Sequence, residues 1–201
     1  MKVISYNTGR VIPGRFSGLL LDYPVTVVMV LAALLISLVP EFSTWATWQA
    51  SAPFGPQVWL AHLAHWSPKH LLWDLLAFTI LSVLLEKPNR RLLLQLLLWV
   101  PPAIIAAIWL AGDFTTYRGL SGLDCGLYSA ALITLWRQNR MPAAMTLLAT
   151  MLIIGKSAFE ILTGGTVFVS DLPAGIQAVP VAHLAGALAG TGLAWMSGRR
   201  N

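Results

Sequence analysis

A single cysteine, Cys125, stands among the 201 residues, so no intramolecular disulfide is possible and the redox compartment cannot be read from cysteine usage. Charge is equally scarce, at 10% of residues, against 57% hydrophobic residues and a mean hydropathy of +0.71. That is too little polar surface to cover a soluble globule of this size, which excludes the soluble classes and implies an integral membrane protein. No linker, low-complexity tract or internal repeat divides the chain, so one domain over residues 1–201 is expected. No nucleic-acid partner is needed to explain the net charge of +5, because the basic residues follow a topological pattern.

What the sequence has instead is long apolar runs. A helix needs roughly 20 residues to cross the hydrocarbon core, and six segments come near that length: 23–40, 70–85, 92–111, 121–136, 142–162 and 179–195. An all-α, six-span bundle is expected. Lys2, Arg10 and Arg15 precede the first span, Lys87, Arg90 and Arg91 follow the second, Arg137 and Arg140 the fourth, and Arg199 and Arg200 the sixth. Ten of the thirteen basic residues thus fall on one side, which is the cytoplasmic one, and both termini lie there with them. Anionic lipid headgroups are the expected counterpart of this charge. The first span has a basic leader and an apolar core like a signal peptide, with Ala50-Ser51-Ala52 resembling a cleavage site. That site lies about ten residues past the apolar core, too far for cleavage, so the span is read as retained.

The connections differ in character. Those at 86–91 and 137–141 are short and basic, whereas 41–69 is long and carries Trp45, Trp48, Phe54, Trp59 and Trp66, aromatics that favour the membrane interface. This external segment is expected to lie on or in the outer leaflet. Gly164, Gly165, Asp171, Pro173 and Gly175 make the 163–176 connection either a mobile flap over a site or a simple loop.

Ionisable groups inside apolar helices point to function. At about 1.5 Å per residue, Ser121 stands about 22 Å above Trp136 and His183 about 18 Å above Trp195. His70 and Asp74 stand about 22 and 17 Å above Leu85, and Lys156 about 21 Å above Pro142. All fall in one layer toward the external face. Gly122, Gly126 and Ala130 recur every four residues on one helix, as Ala182, Gly186 and Gly190 do on the other. Such small-residue stripes let helix backbones meet. They begin beside Ser121 and His183.

A serine hydroxyl is a weak nucleophile until a base takes its proton, and a neutral imidazole in reach is the usual base. With no acidic residue evident on the sixth span, a Ser121–His183 dyad is expected. Candidate donors to the developing oxyanion are the Ser121 backbone N–H at the start of its helix and His70. Asp74, at i+4 from His70, either orients that histidine or pairs with another group; ionised it would repel an oxyanion, protonated it could donate. Lys156 and Glu160, also at i,i+4, are read as an intramembrane ion pair that is structural or lines the site. Asp124 is expected to point elsewhere around its helix or to satisfy a neighbour. His62, His65 and His70 lack the spacing of a tight metal site, so neither metal nor cofactor is expected.

The strings His65-Trp66-Ser67-Pro68-Lys69-His70-Leu71-Leu72-Trp73-Asp74, Gly119-Leu120-Ser121-Gly122 and Ala182-His183 with Gly186 and Gly190 resemble the rhomboid intramembrane serine proteases in order and spacing. The resemblance spans about residues 60–195 and implies proteolysis with Ser121 and His183 as catalytic pair and His70, Asp74 and Gly119 about the oxyanion site. Rhomboids commonly carry asparagine where this chain has Asp74. That residue, with Lys156-Ser157-Ala158-Phe159-Glu160 and the compact size, is most similar to the rhombosortase branch. It implies substrates with a C-terminal Gly-Gly-type motif, an apolar helix and basic residues, cut on the outer side of a bacterial inner membrane. His65 is a further candidate support of the site, with Lys156 and Glu160. The competing reading is a rhomboid-like pseudoprotease that binds transmembrane helices as a scaffold; intact Ser121 and His183 count against it. A small transporter would need a polar path through the bilayer, and the polar residues stop in the outer half.

Overall fold

Four helices open on proline, at Pro24, Pro40, Pro68 and Pro180, where the ring-fixed φ suits a first turn and the missing N–H would have had no partner. The computed structural model describes residue 18, residues 22–166, residue 169 and residues 172–198. Its elements are α1 (Pro24–Leu38), α2 (Pro40–Ala46), β1 (Trp48–Gln49), α3 (Gln57–Leu60), a 3₁₀ turn (Ala61–Leu63), α4 (Pro68–Ala111), β2 (Thr116–Tyr117), α5 (Ser121–Arg137), α6 (Ala143–Thr163) and α7 (Pro180–Ser197). Lys2, Arg10, Arg15, Asp171, Arg199 and Arg200, which entered the sequence argument, lie outside the described residues.

The fold is a mostly helical bundle of membrane type. Among the described residues two helices, α4 and α6, are long and apolar enough to cross a bilayer, or three spans if α1 and α2, bent by 105° at their junction, count as one. The five long helices cover the six apolar segments of the sequence, because α4 runs through two of them. Its arms, 68–88 and 90–111, meet at Asn89, whose backbone (φ −155°, ψ 72°) is not helical. The Asn89 carboxamide oxygen accepts from the Leu92 N–H at 3.0 Å, so the residue that breaks one arm caps the next.

Two details of the connections carry no mark in the sequence. The basic residues of the 86–91 segment, Lys87, Arg90 and Arg91, are exposed, but its acidic residue turns inward. Glu86 is buried, and its carboxylate accepts from the Val25 N–H (2.9 Å), the Thr26 N–H (2.8 Å) and the Thr26 hydroxyl (2.6 Å), with Arg90 at 3.4 Å. A carboxylate meeting the orphan donors and positive end of α1 explains why it belongs inside. The aromatics of 41–69 divide between surface and interior. Trp45, Phe54 and Trp59 are exposed, but Trp48 is fully buried, in β1, where it pairs with Tyr117 of β2. That two-residue ladder, with Gln49 opposite Thr116, ties the long segment to the strand that leads into α5. Arg118 strengthens the tie by donating to the Thr47 (2.7 Å) and Ser43 (2.9 Å) hydroxyls and lying 4.2 Å over the Trp66 ring.

The tightest packing joins α5 to α7. A Cβ on Gly186 would collide with the Gly122 carbonyl, one on Gly190 with the Gly126 carbonyl, and one on Gly126 would meet the Gly186 carbonyl at 3.0 Å. These helices touch backbone to backbone, which only glycine permits. Gly192, two residues on, faces open space. Gly190→Ala is therefore expected to destabilise the protein by about 1–3 kcal/mol through overpacking against backbone, whereas Gly192→Ala on the same helix is neutral or slightly stabilising. Thermal unfolding of both variants in detergent checks the contrast.

Candidate active site

The site is assembled at the first turn of α5. Gly119 holds φ +127°, a conformation that L side chains rarely adopt, and a Cβ there would come within 2.9 Å of the His70 ring and 3.4 Å of the Asp74 carboxylate. The backbone thus passes directly over His70 and Asp74 before turning into the helix. It is pinned there by the Gly119 N–H donating to the Ala61 carbonyl (3.1 Å) and by the Tyr117 hydroxyl donating to the Gly119 carbonyl (3.0 Å). Ser121 follows as the first residue of α5.

His183 sits in the first turn of α7, one residue past Ala182, whose carbonyl lies against Gly122. The Gly122–Gly186 contact brings the two helix starts together, and His183 Nε2 lies 3.0 Å from the Ser121 hydroxyl oxygen. Behind the imidazole, Nδ1 stands 2.7 Å from Glu160 Oε2, and the other oxygen of Glu160 accepts from Lys156 Nζ at 2.6 Å. Lys156 Nζ is also 3.2 Å from His183 Nδ1. Beside the expected Ser121–His183 pair a carboxylate stands against the histidine, supplied by α6 rather than by the histidine's own helix. Glu160 and Ser157 are the buried residues of α6, whose exposed apolar residues such as Leu147, Leu148 and Leu162 face outward as lipid-contacting side chains do.

On the other side of Ser121, Asp74 Oδ2 accepts from the Ser121 N–H at 3.1 Å and lies 3.2 Å from both His65 Nε2 and His70 Nε2. Asp74 thus contacts His70, His65 and the serine backbone together. The oxyanion donors named from sequence, the Ser121 N–H and His70, both face this carboxylate. Reading the histidines along the chain missed that one ligand atom each of His65, His70 and Asp74 lies within 4.8 Å of the others, close enough for a metal ion. Between His65 and His70 the chain turns into the Ser67-capped start of α4, which linear spacing does not reveal. His62 is separate. It is buried edge-on against Tyr117, and that burial pulls its imidazole down to about 4. Asp124 satisfies no neighbour: it is buried one turn into α5, with no hydrogen-bond partner for either carboxylate oxygen among the described residues.

A cavity of about 940 Å³ opens onto Ser121 and His183. Its apolar walls include the first arm of α4 (Trp73, Ile80) and α6 (Leu152, Phe159), and residues 113–118 and 175–179 also line it.

With the geometry in view, the match to known families is specific. The family model of the rhomboid domain matches residues 55–200. The chain belongs to the rhomboid family. No curated protein matches it. The matched stretch holds the rhomboid serine, histidine and glycine strings, while α1 and α2 precede it. Rhomboids form an intramembrane protease family, and this member is a multi-pass membrane protein. Its turn into the serine depends on Gly119, so Gly119→Ala is expected to destabilise by about 1–3 kcal/mol from backbone strain alone, with His70 displaced in addition. A lowered unfolding midpoint, compared with that of Gly175→Ala at another positive-φ glycine with open space around it, measures the contribution of the His70 contact.

Proposed function

We propose that the chain is an intramembrane serine endopeptidase in which Ser121 is the nucleophile, His183 the general base and then acid, and Glu160 the group that orients the imidazole. The observation that carries the reading is the line Ser121 Oγ, His183 Nε2 (3.0 Å), His183 Nδ1, Glu160 Oε2 (2.7 Å). A proton on Nδ1, held toward the carboxylate, leaves Nε2 bare to accept the serine proton as Oγ attacks the substrate carbonyl. The imidazolium that forms is stabilised by the same carboxylate, and its Nε2 proton passes to the leaving amine. Water entering the cavity then attacks the acyl-enzyme with His183 again as base. Lys156 holds Glu160 in place and balances its charge in a setting where an unpaired carboxylate would be expensive.

The wider reading is that of one domain with six spans and both termini in the cytoplasm of a bacterium, with the site opening toward the outer side of the inner membrane. Its support is the distribution of basic residues, the two arms of α4 and the common level of the polar residues. Substrates are taken to be membrane-anchored proteins with a C-terminal transmembrane tail and a Gly-Gly-type motif. Support for that class is the resemblance of Asp74 and the Lys156 to Glu160 stretch to the rhombosortase branch; the apolar cavity walls suit any apolar helix.

The test is cleavage in lipid vesicles of a protein ending in a Gly-Gly motif, an apolar helix and basic residues, beside a general rhomboid substrate. Ser121→Ala and His183→Ala are expected to lower kcat about ten-thousandfold or more. Glu160→Gln is expected to lower it about a hundredfold or more with KM little changed, and Glu160→Asp to recover part of the loss. Cutting of the general substrate alone would remove the specialised branch. Cleavage that survives loss of Ser121 would remove the mechanism.

A further inference from the structure

The position where rhomboids commonly carry a neutral amide is here a carboxylate, and it lies within hydrogen-bond reach of the nucleophile's own backbone N–H. A negative charge at that point opposes the second negative charge that forms on the attacked carbonyl. How the protein removes it follows from counting protons on the residues behind Asp74.

The count starts at Ser37 in α1. Its hydroxyl carries one proton, and two acceptor-capable groups lie within reach: the Leu63 carbonyl at 2.9 Å and His65 Nδ1 at 3.0 Å. A carbonyl only accepts, so the hydroxyl proton goes to Leu63. Ser37 Oγ must then accept from His65, which places a proton on Nδ1. The other ring nitrogen, Nε2, faces Asp74 Oδ2 at 3.2 Å. Were His65 neutral and Asp74 ionised, two bare acceptors would oppose each other inside the protein, where His65 and Asp74 are both buried. One further proton must lie between them. On Nε2 it makes an imidazolium beside a carboxylate; on Oδ2 it makes a neutral imidazole beside a carboxylic acid. The pair is neutral in both forms. The Leu120 N–H points at His65 Nε2 from 3.5 Å, an approach that suits a bare Nε2 and so the form with the proton on Asp74.

We infer that His65 is a positioning residue of the oxyanion site: it shares one proton with Asp74 and so keeps that position electrically neutral while negative charge forms on the carbonyl bound to Ser121. His65 touches no substrate atom and acts through Asp74. His70, whose Nε2 faces the same oxygen at 3.2 Å, and the Ser121 N–H are the other groups on it, and both are donors that a bare carboxylate would hold more tightly than a neutral acid. Sharing the proton with His65 therefore also frees them for the oxyanion.

The inference rests on the protease reading, and the experiment separates the two. His65→Asn retains a side-chain amide where Nδ1 meets Ser37 and removes only the nitrogen that faces Asp74, so the local fold is preserved. Cleavage is measured in vesicles for wild type, His65→Asn, Asp74→Asn and the double variant, with kcat and KM separated and unfolding midpoints recorded. In the wild-type background His65→Asn is expected to lower kcat about tenfold or more, through an uncompensated charge at the oxyanion site. In the Asp74→Asn background, where no charge remains to balance, the same change is expected to alter kcat by less than about twofold. An equal loss in both backgrounds makes His65 merely structural and overturns the inference, as does an inert Asp74→Asn variant. Loss of wild-type cleavage on treatment with a chelator, restored by zinc, overturns it in favour of a metal held by His65, His70 and Asp74. A wild type that cuts nothing overturns the protease reading itself, whereas the other outcomes leave that reading standing.

Discussion

Backbone contact between α5 and α7 sets the geometry on which the site depends. Gly122 meets Gly186 and Gly126 meets Gly190, each at a separation that excludes even a methyl group. Ser121 and His183 stand one residue before Gly122 and three before Gly186, so the distance between hydroxyl and imidazole is a consequence of the helix contact. A larger residue at either glycine would move one helix away by more than a hydrogen bond can follow. The same contact leaves no room for water between the helices, and their apolar flanks, Leu123, Leu127 and Ala194, are buried with them.

Around this contact two buried carboxylates, Glu160 and Glu86, belong to neutral sets. Lys156 balances Glu160 behind the imidazole, and Glu86 is met by the positive end of α1 and by Arg90. Each set joins different elements, so the requirement that a buried charge find a partner also fixes how those elements lie. Glu86 brings α1 to the end of the first arm of α4, and Glu160 brings α6 to α7. In a bilayer, where apolar surface gains little by facing a neighbouring helix, such polar contacts and close backbone packing carry the specificity of assembly.

Much of this was legible in the sequence, and the reasons are specific. Counting residues along helices placed Ser121, His183, Asp74 and Lys156 in one layer because axial rise is nearly constant. The repeat of Gly122 and Gly126 against Gly186 and Gly190 marked which helices meet. What could not be read was rotation. Whether Glu160 faces His183 or lipid depends on how α6 is turned about its axis, and α6 has only two buried residues to declare a face. The Lys156–Glu160 spacing identified an ion pair but not its third member. Ser37 gave no signal at all, since a hydroxyl in an apolar run is ordinary until Leu63 and His65 are folded against it. Glu86 was read as part of a basic turn because its partners, the N–H groups of Val25 and Thr26, are backbone atoms sixty residues away that carry no sequence label.

The loose attachment of α6 has a consequence for the chemistry. Ser121 and His183 ride on two helices locked by glycine contacts, but the carboxylate behind the imidazole rides on a third that is held mainly through its polar residues. The apolar residues of α6 that line the cavity, Leu152 and Phe159, lie on the same helix as Glu160 and less than three turns from it. Any outward shift of α6 that widens the cavity therefore lengthens the Glu160–His183 contact before it touches the Ser121–His183 distance. The orientation of the imidazole and the width of the cavity are in this way tied to one element, and the site is best ordered when α6 is docked against α7.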